Sequence, residues 1–170
     1  VYFKANWADE FENSSTEEEE FTPSNGDTIT VDMMKQVNSF YYMENDDMQA
    51  IKLPYVGDRV SMMILLPKEN DISKVEDALT AENLAEWKED MRSRMVQLNM
   101  PKFKIEAKYM MARDLADMGM QTAFSDNADF SGMTGARDLF ISEVIHQTFI
   151  DVNEEGTEAA AATAVVMAAT

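Results

Sequence analysis

The 170-residue chain contains no cysteine and only one histidine, His146. Without cysteine there is no disulfide framework, and the redox compartment stays open. One histidine and no thiol leave too few ligands for a zinc site of the usual kind, and no metal or other cofactor is expected. Basic residues are scarce: 14 lysines and arginines stand against 32 acidic residues, a net charge of −18. That balance argues against nucleic acid and against anionic membrane surfaces as partners. No apolar run reaches transmembrane length. What the chain has in excess is methionine, 15 residues, read here as packing material for an irregular core.

Hydrophobic periodicity organises most of the sequence. Val1 to Trp7 reads as a strand. The acidic run Glu17 to Glu20 reads as a solvated loop. Asn13-Ser14-Ser15 matches a glycosylation sequon, a pattern short enough to arise by chance. Asn25-Gly26 is a turn signal ahead of Ile29, Val31 and Met33, which alternate as in a half-buried strand. Phe40–Met43, Ile51–Tyr55 and Val60–Leu66 are three further strands. The last is apolar on both parities and is expected to be central and covered on both faces. Ile72–Leu79 and Thr80–Met91 read as short helices, with Thr80 as N-cap and Leu84, Trp87 and Met91 on one face. From Val96 to Tyr109 the apolar phase slips at Pro101, so one run is expected to serve two sheets, with a bend at that proline. Ala112–Met118 is a helix ended by Gly119, and Leu139–Val152 is a long strand.

Tests for catalysis fail. His146 shares strand parity with Val144, Thr148 and Ile150, so it is expected to point into a packed face. Ser142 and Asp151 are available to it only as chance neighbours, which does not make a triad. Asp126 to Gly132 approaches a calcium loop, but its glycine falls one position late and Ala128 occupies a ligand position. No glycine-rich phosphate loop is present. No catalytic residue is assigned.

The most informative stretch is Glu154 to Thr170. After Glu158 it holds no charge, no proline, no aromatic and nothing bulkier than Met167. Propensity alone favours a helix, since alanine is the best helix former and Thr157 is an acceptable N-cap. The threonines, Val165 and Val166 oppose it, and Gly156 marks a turn after a long strand. As a strand, Thr157, Ala159, Ala161, Thr163, Val165 and Met167 share one face. Such a segment could enter a closed sheet without clashing with its neighbours.

Several motifs occur in register: Val1-Tyr2-Phe3-Lys4-Ala5-Asn6-Trp7; Leu53-Pro54-Tyr55; Pro101-Lys102-Phe103-Lys104-Ile105; Leu115-Ala116-Asp117-Met118-Gly119-Met120; Asn127-Ala128-Asp129-Phe130-Ser131-Gly132-Met133; His146; and Glu154 to Ala162. In this order they resemble the second half of a serpin. The resemblance implies a mixed α and β fold of three β-sheets with surrounding helices, of which residues 1–170 form a partial domain. Residues 1–153 would belong to the body, and residues 154–170 to the reactive-loop hinge and inserting segment. The rest of the serpin chain, an N-terminal half and a short C-terminal segment, would be its first partner, without which it is not expected to fold.

The resemblance also implies roles. The protein would be a suicide substrate of a serine protease: its reactive loop is cut, inserts into the main sheet and traps the acyl-enzyme. Glu154, Glu155, Gly156, Thr157, Glu158, Ala159, Ala160, Ala161 and Ala162 would form the hinge. His146 would belong to the shutter beneath the opening sheet. Trp7, Lys102 and Glu154 would lie where the sheet first opens, with Lys102 and Glu154 as an ion pair. By the family's spacing from Gly156, Thr170 would be the scissile residue, and the chain is read as the cleaved, inserted form. Ala168-Ala169-Thr170 would suit an elastase-like or subtilisin-like protease. A non-inhibitory serpin used as carrier, chaperone or storage protein is the alternative within the family. A small acidic binding module with an alanine-rich helix is the alternative outside it.

Overall fold

The computed structural model describes residues 1–23, 26–69 and 71–169. Nine strands and four α-helices alternate along them: β1 (Tyr2–Asn6), β2 (Glu17–Phe21), β3 (Ile29–Glu44), β4 (Met48–Pro54), β5 (Ser61–Pro67), α1 (Ser73–Ala78), α2 (Ala81–Asp90), β6 (Arg92–Pro101), β7 (Phe103–Met110), α3 (Ala112–Leu115), α4 (Ser131–Thr134), β8 (Leu139–Val152) and β9 (Gly156–Ala169). Four strands pair in the order β1-β9-β8-β7, and β2, β3, β4, β5 and β6 form a second sheet. The fold is mixed α and β, as expected. The chain divides into two compact units: Val1–Phe3 with Lys104–Asp151 and Glu158–Thr170, and Lys4–Phe103 with Val152–Thr157.

In the second of these units the organising element is β3. This 16-residue strand unites two runs that periodicity read separately. Its start pairs with β2, its end pairs with β4, and β6 runs beside it from Met33 to Tyr42, all antiparallel. The phase slip at Pro101 has its expected meaning: β6 ends there in one sheet, and β7 begins at Phe103 in the other. Thr80 caps α2 through a hydrogen bond that its hydroxyl accepts from the Asn83 N–H at 3.1 Å. α2 buries Trp87 against Met43, Met48, Ala50, Val75 and Met91, with Leu84 packed beside them. Three of these are methionines, whose flexible thioethers fill the space around a rigid indole.

Two readings in this unit are corrected. Glu17–Glu20 is not a loop; it lies in β2, paired register by register with Met33 to Thr30. Glutamate is a weak strand former, but here a neighbouring strand supplies the ladder. Lys35 reaches two carboxylates of the same face, Glu17 at 2.8 Å and Glu19 at 2.6 Å. Tertiary pairing thus overrides propensity. The strand Val60–Leu66 is observed as β5, which pairs with β4 and ends the strand order. It is not covered on both faces: its residues are half-buried, and Leu66 is exposed. In the turn ahead of β3, Gly26 has φ 85°, while Asn25 lies outside the described residues.

In the other unit β8 has the expected bounds, Leu139–Val152. The helix read as Ala112–Met118 is shorter. It stops at Leu115 and continues as a wider turn to Met120, because Gly119 takes φ 113°, where a side chain would be strained.

Trp87 is the largest member of the buried cluster. Trp87→Ala in the intact protein is expected to lower stability by about 3–5 kcal/mol, the usual cost of emptying such a site. Urea unfolding checks this, and a loss under about 1 kcal/mol would mean that α2 is not held by this cluster.

Candidate functional site

The residues expected where the sheet opens come together. Trp7 follows β1 and is buried. Its indole N–H donates to the Asn153 carbonyl at 2.9 Å, and its backbone N–H donates to the Glu155 carbonyl at 2.9 Å. Its ring stacks on Tyr55, 4.6 Å between centroids at an angle of 12°. Tyr55 stands beyond the end of β4, bridged to Trp7 as a strand partner. Its hydroxyl donates to Thr157 Oγ1 at 2.9 Å, and both residues are buried. Burial pushes the Tyr55 hydroxyl up from its ordinary pKa, against the smaller effect of the Thr157 bond.

Glu154 is the buried charge of this site. Its side chain is 6% exposed and lies 2.9 Å from Lys102 Nζ, the ion pair that the family resemblance implies. Thr16 adds a hydroxyl donor at 2.9 Å, and the Phe11 N–H binds the Glu154 carbonyl at 3.0 Å. Burial raises the carboxyl, but Lys102, its own backbone N–H and the Thr16 hydroxyl together hold it below its ordinary value. A carboxylate in such a place needs these donors, since an unpaired buried charge costs several kcal/mol, roughly.

Gly156 starts β9 in a tight turn set by Asn153. The Asn153 side-chain oxygen accepts from the N–H groups of Glu155, at 3.0 Å, and Gly156, at 3.2 Å. A Cβ on Gly156 would overlap the Ala5 carbonyl oxygen and lie 2.8 Å from Asn6 Cα. Only glycine lets the two backbones approach so closely.

Beyond Thr157, β9 belongs to the other unit. Tyr2 donates to the Glu158 carboxylate at 3.1 Å, and Val1 and Ala161 exchange two hydrogen bonds of 2.8 Å. On the β8 side His146 Nδ1 lies 2.8 Å from Thr163 Oγ1, and the Ser142 hydroxyl donates to the Val166 carbonyl at 3.1 Å. These partners step in opposite directions along the chain, so β8 and β9 are antiparallel. The helix that propensity alone would favour does not form, and the strand reading holds for Gly156–Ala169.

Two details differ from expectation. The face shared by Thr157, Ala159, Ala161, Thr163, Val165 and Met167 is buried only at its start. Ala159 and Ala161 are half-buried, Thr163 is exposed, and Val165 is 54% exposed. His146 is likewise half-buried. The described residues place no second layer over this stretch. Thr170 lies outside the described residues. Nothing in the sequence marks Thr16 or Tyr55 as part of the site. Leu53-Pro54-Tyr55 stood out as a motif, but nothing marked the tyrosine as the partner of Thr157.

The lowered Glu154 pKa fixes the sign of a pH dependence. A carboxyl with a depressed folded value contributes stability above its unfolded pKa, of about 4. That contribution fades as pH falls through the folded value. Glu154→Gln is therefore expected to destabilise the protein by about 1–3 kcal/mol at neutral pH and by much less near pH 3. Denaturation at both pH values checks this; a difference independent of pH would contradict it.

Comparison with known proteins gives this site its context. A model of the serpin (serine protease inhibitor) family matches residues 1–170. The chain is 48% identical over 167 residues to an uncharacterized serpin-like protein of Thermococcus kodakarensis, covering 98% of this chain and 39% of that protein. It is 44% identical over 174 residues to leukocyte elastase inhibitor of Homo sapiens, covering 96% and 46%. Among solved structures, reactive loop cleaved human thyroxine-binding globulin superposes with a TM-score of 0.89 at 33% identity, over 99% of this chain and 50% of that one. The chain spans 39% and 46% of the length of these two relatives. With a family match along its full length and this degree of identity, the chain belongs to the serpin family.

Proposed function

We propose that this protein inhibits serine proteases as a suicide substrate, and that β9 is its reactive loop in the inserted position. The observation that carries the reading is the place of β9 in the strand order, between β1 and β8. On this reading residues 1–153 belong to the second half of the serpin body, residues 154–162 are the hinge, and residues 157–169 are the inserted strand. The protease serine attacks the Thr170 carbonyl, its histidine passes the proton to the leaving amine, and the bond to the following residue breaks, leaving an acyl ester. Insertion then competes with hydrolysis of that ester.

The driving force comes from backbone pairing. A net 0.5–1.5 kcal/mol per hydrogen bond, over a strand of 14 residues, amounts to on the order of 10 kcal/mol. Small side chains at Ala159 to Ala162 keep the entry of each residue free of steric cost. Trp7, Lys102 and Glu154 set the readiness of the sheet to open, and His146 acts in the shutter. The residues before Thr170 are small and suit a shallow pocket, as in elastase-like and subtilisin-like proteases. Identity to leukocyte elastase inhibitor supports that partner class.

Similarity to thyroxine-binding globulin supports a second reading, a serpin that carries a ligand and does not trap protease. A covalent, SDS-resistant complex with an elastase-like protease separates the two; its absence would favour the carrier.

Two substitutions in the intact protein test the reading further. Thr157→Arg puts a cation at the first buried side chain of β9. Burying it unpaired costs several kcal/mol, roughly, and about 1.4 kcal/mol already slows a step tenfold. The variant should be cut at the normal rate and released, with many loop cleavages per inhibited enzyme; one-to-one trapping would refute insertion through this hinge. Thr170→Arg should move inhibition toward trypsin-like proteases, whose deep pocket carries a carboxylate. An unchanged target spectrum would show that the scissile residue lies elsewhere.

A further inference from the structure

We propose that Asn13 is a modification site, the acceptor of an N-linked oligosaccharide on a secreted form of this protein. Asn13-Ser14-Ser15 is the only Asn-x-Ser/Thr triplet in the chain. So short a pattern selects nothing by itself; its structural context does. A glycan is bulky and solvated. An asparagine that carries one must end in a surface turn, with a side chain that the fold does not use.

Asn13 meets both conditions. It opens the short 3-10 turn Asn13–Ser15, and Glu12, Asn13 and Ser14 are all exposed. The turn is held by its backbone. The Ser15 N–H donates to the Glu12 carbonyl at 2.8 Å, and the Thr16 N–H donates to the Asn13 carbonyl at 3.3 Å. Among the described residues no hydrogen bond engages the Asn13 side chain. Other asparagines are employed: the side chains of Asn45, Asn83 and Asn153 each bond a backbone group.

Both ends of the segment are pinned to one residue. Phe11 is buried and its N–H binds the Glu154 carbonyl at 3.0 Å, while the Thr16 hydroxyl donates to the Glu154 carboxylate at 2.9 Å. The exposed residues between them stand out from the body. A sugar on the Asn13 amide extends into solvent and leaves both anchors in place.

The chemistry is a group transfer, with an oligosaccharide linked to a lipid pyrophosphate as donor and a membrane transferase as catalyst. The Asn13 amide nitrogen attacks the anomeric carbon of the first sugar. The carbon–oxygen bond to the pyrophosphate breaks, and the amide nitrogen gives one proton to a base of the transferase. The Ser15 hydroxyl, two residues on, completes the triplet that the transferase accepts.

The experiment is to secrete the intact protein from a eukaryotic host and treat it with an N-glycan amidase, which leaves aspartate where a glycosylated asparagine stood. Peptide mapping is expected to find that conversion at Asn13. Asn13→Gln and Ser15→Ala should each be secreted with one glycan fewer than the parent, and Ser15→Thr should keep it. Two variants that abolish the site by different residues keep the test open if one of them is not secreted. The glycosylated and amidase-treated proteins should unfold at the same temperature. An unmodified Asn13 in cells that glycosylate a reference secreted protein would overturn the proposal. A glycan that lowers the unfolding midpoint by about 2–4 °C or more would overturn it too, by showing that the fold uses this side chain. Neither result depends on whether the protein traps a protease.

Discussion

Every backbone N–H and C=O of a central strand needs a partner, half of them on each side, and β9 finds partners in β8 on one side and, as far as Ala161, in the β1 segment on the other. The rest of the structure follows from it. On the proposed reading β9 carries alanines because bulk would obstruct its entry; it starts at Gly156 because a Cβ there would overlap the backbone of Ala5. β8 extends over 14 residues, as does β9, so that the hairpin can pair along its length. Sequence bias toward small residues, which alone would favour a helix, is thus overruled by the ladder.

The entry point of that strand is also where the polar chemistry concentrates. Glu154 is a buried carboxylate whose desolvation cost is offset by Lys102, Thr16 and a backbone N–H. The next turn is held by the Asn153 side chain, and the first buried side chain of β9, Thr157, is held by Tyr55. A few directional bonds govern the place where the strand meets its sheet. Farther along β9 the pairing is mostly backbone, with His146 and Ser142 as side-chain additions.

How much of this is legible in the sequence depends on the range of the interaction. The Pro101 bend was readable, because a phase slip and a missing donor are local facts. Thr80 as a cap and the α2 face of Leu84, Trp87 and Met91 were readable for the same reason. The Lys102–Glu154 pair was reached only through the family resemblance, and Thr16 and Tyr55 were not reached. Their bonds to Glu154 and Thr157 span 138 and 102 residues, and nothing in a neighbourhood of the chain signals them. Glu17–Glu20 was misread because its strand character comes from β3 and Lys35, not from its own residues. Val165 and the middle of β9 follow strand parity, but parity tells which face a residue takes, not what covers that face.

Amide hydrogen exchange across residues 157–169, measured in the intact protein before and after its loop is cut, tests the central claim most directly. Insertion predicts fast exchange before cleavage and strong protection of these amides afterward, as β9 gains partners on both sides. Exchange that stays fast after cleavage, or protection already complete in the uncut protein, would contradict the claim that cleavage drives β9 into the sheet.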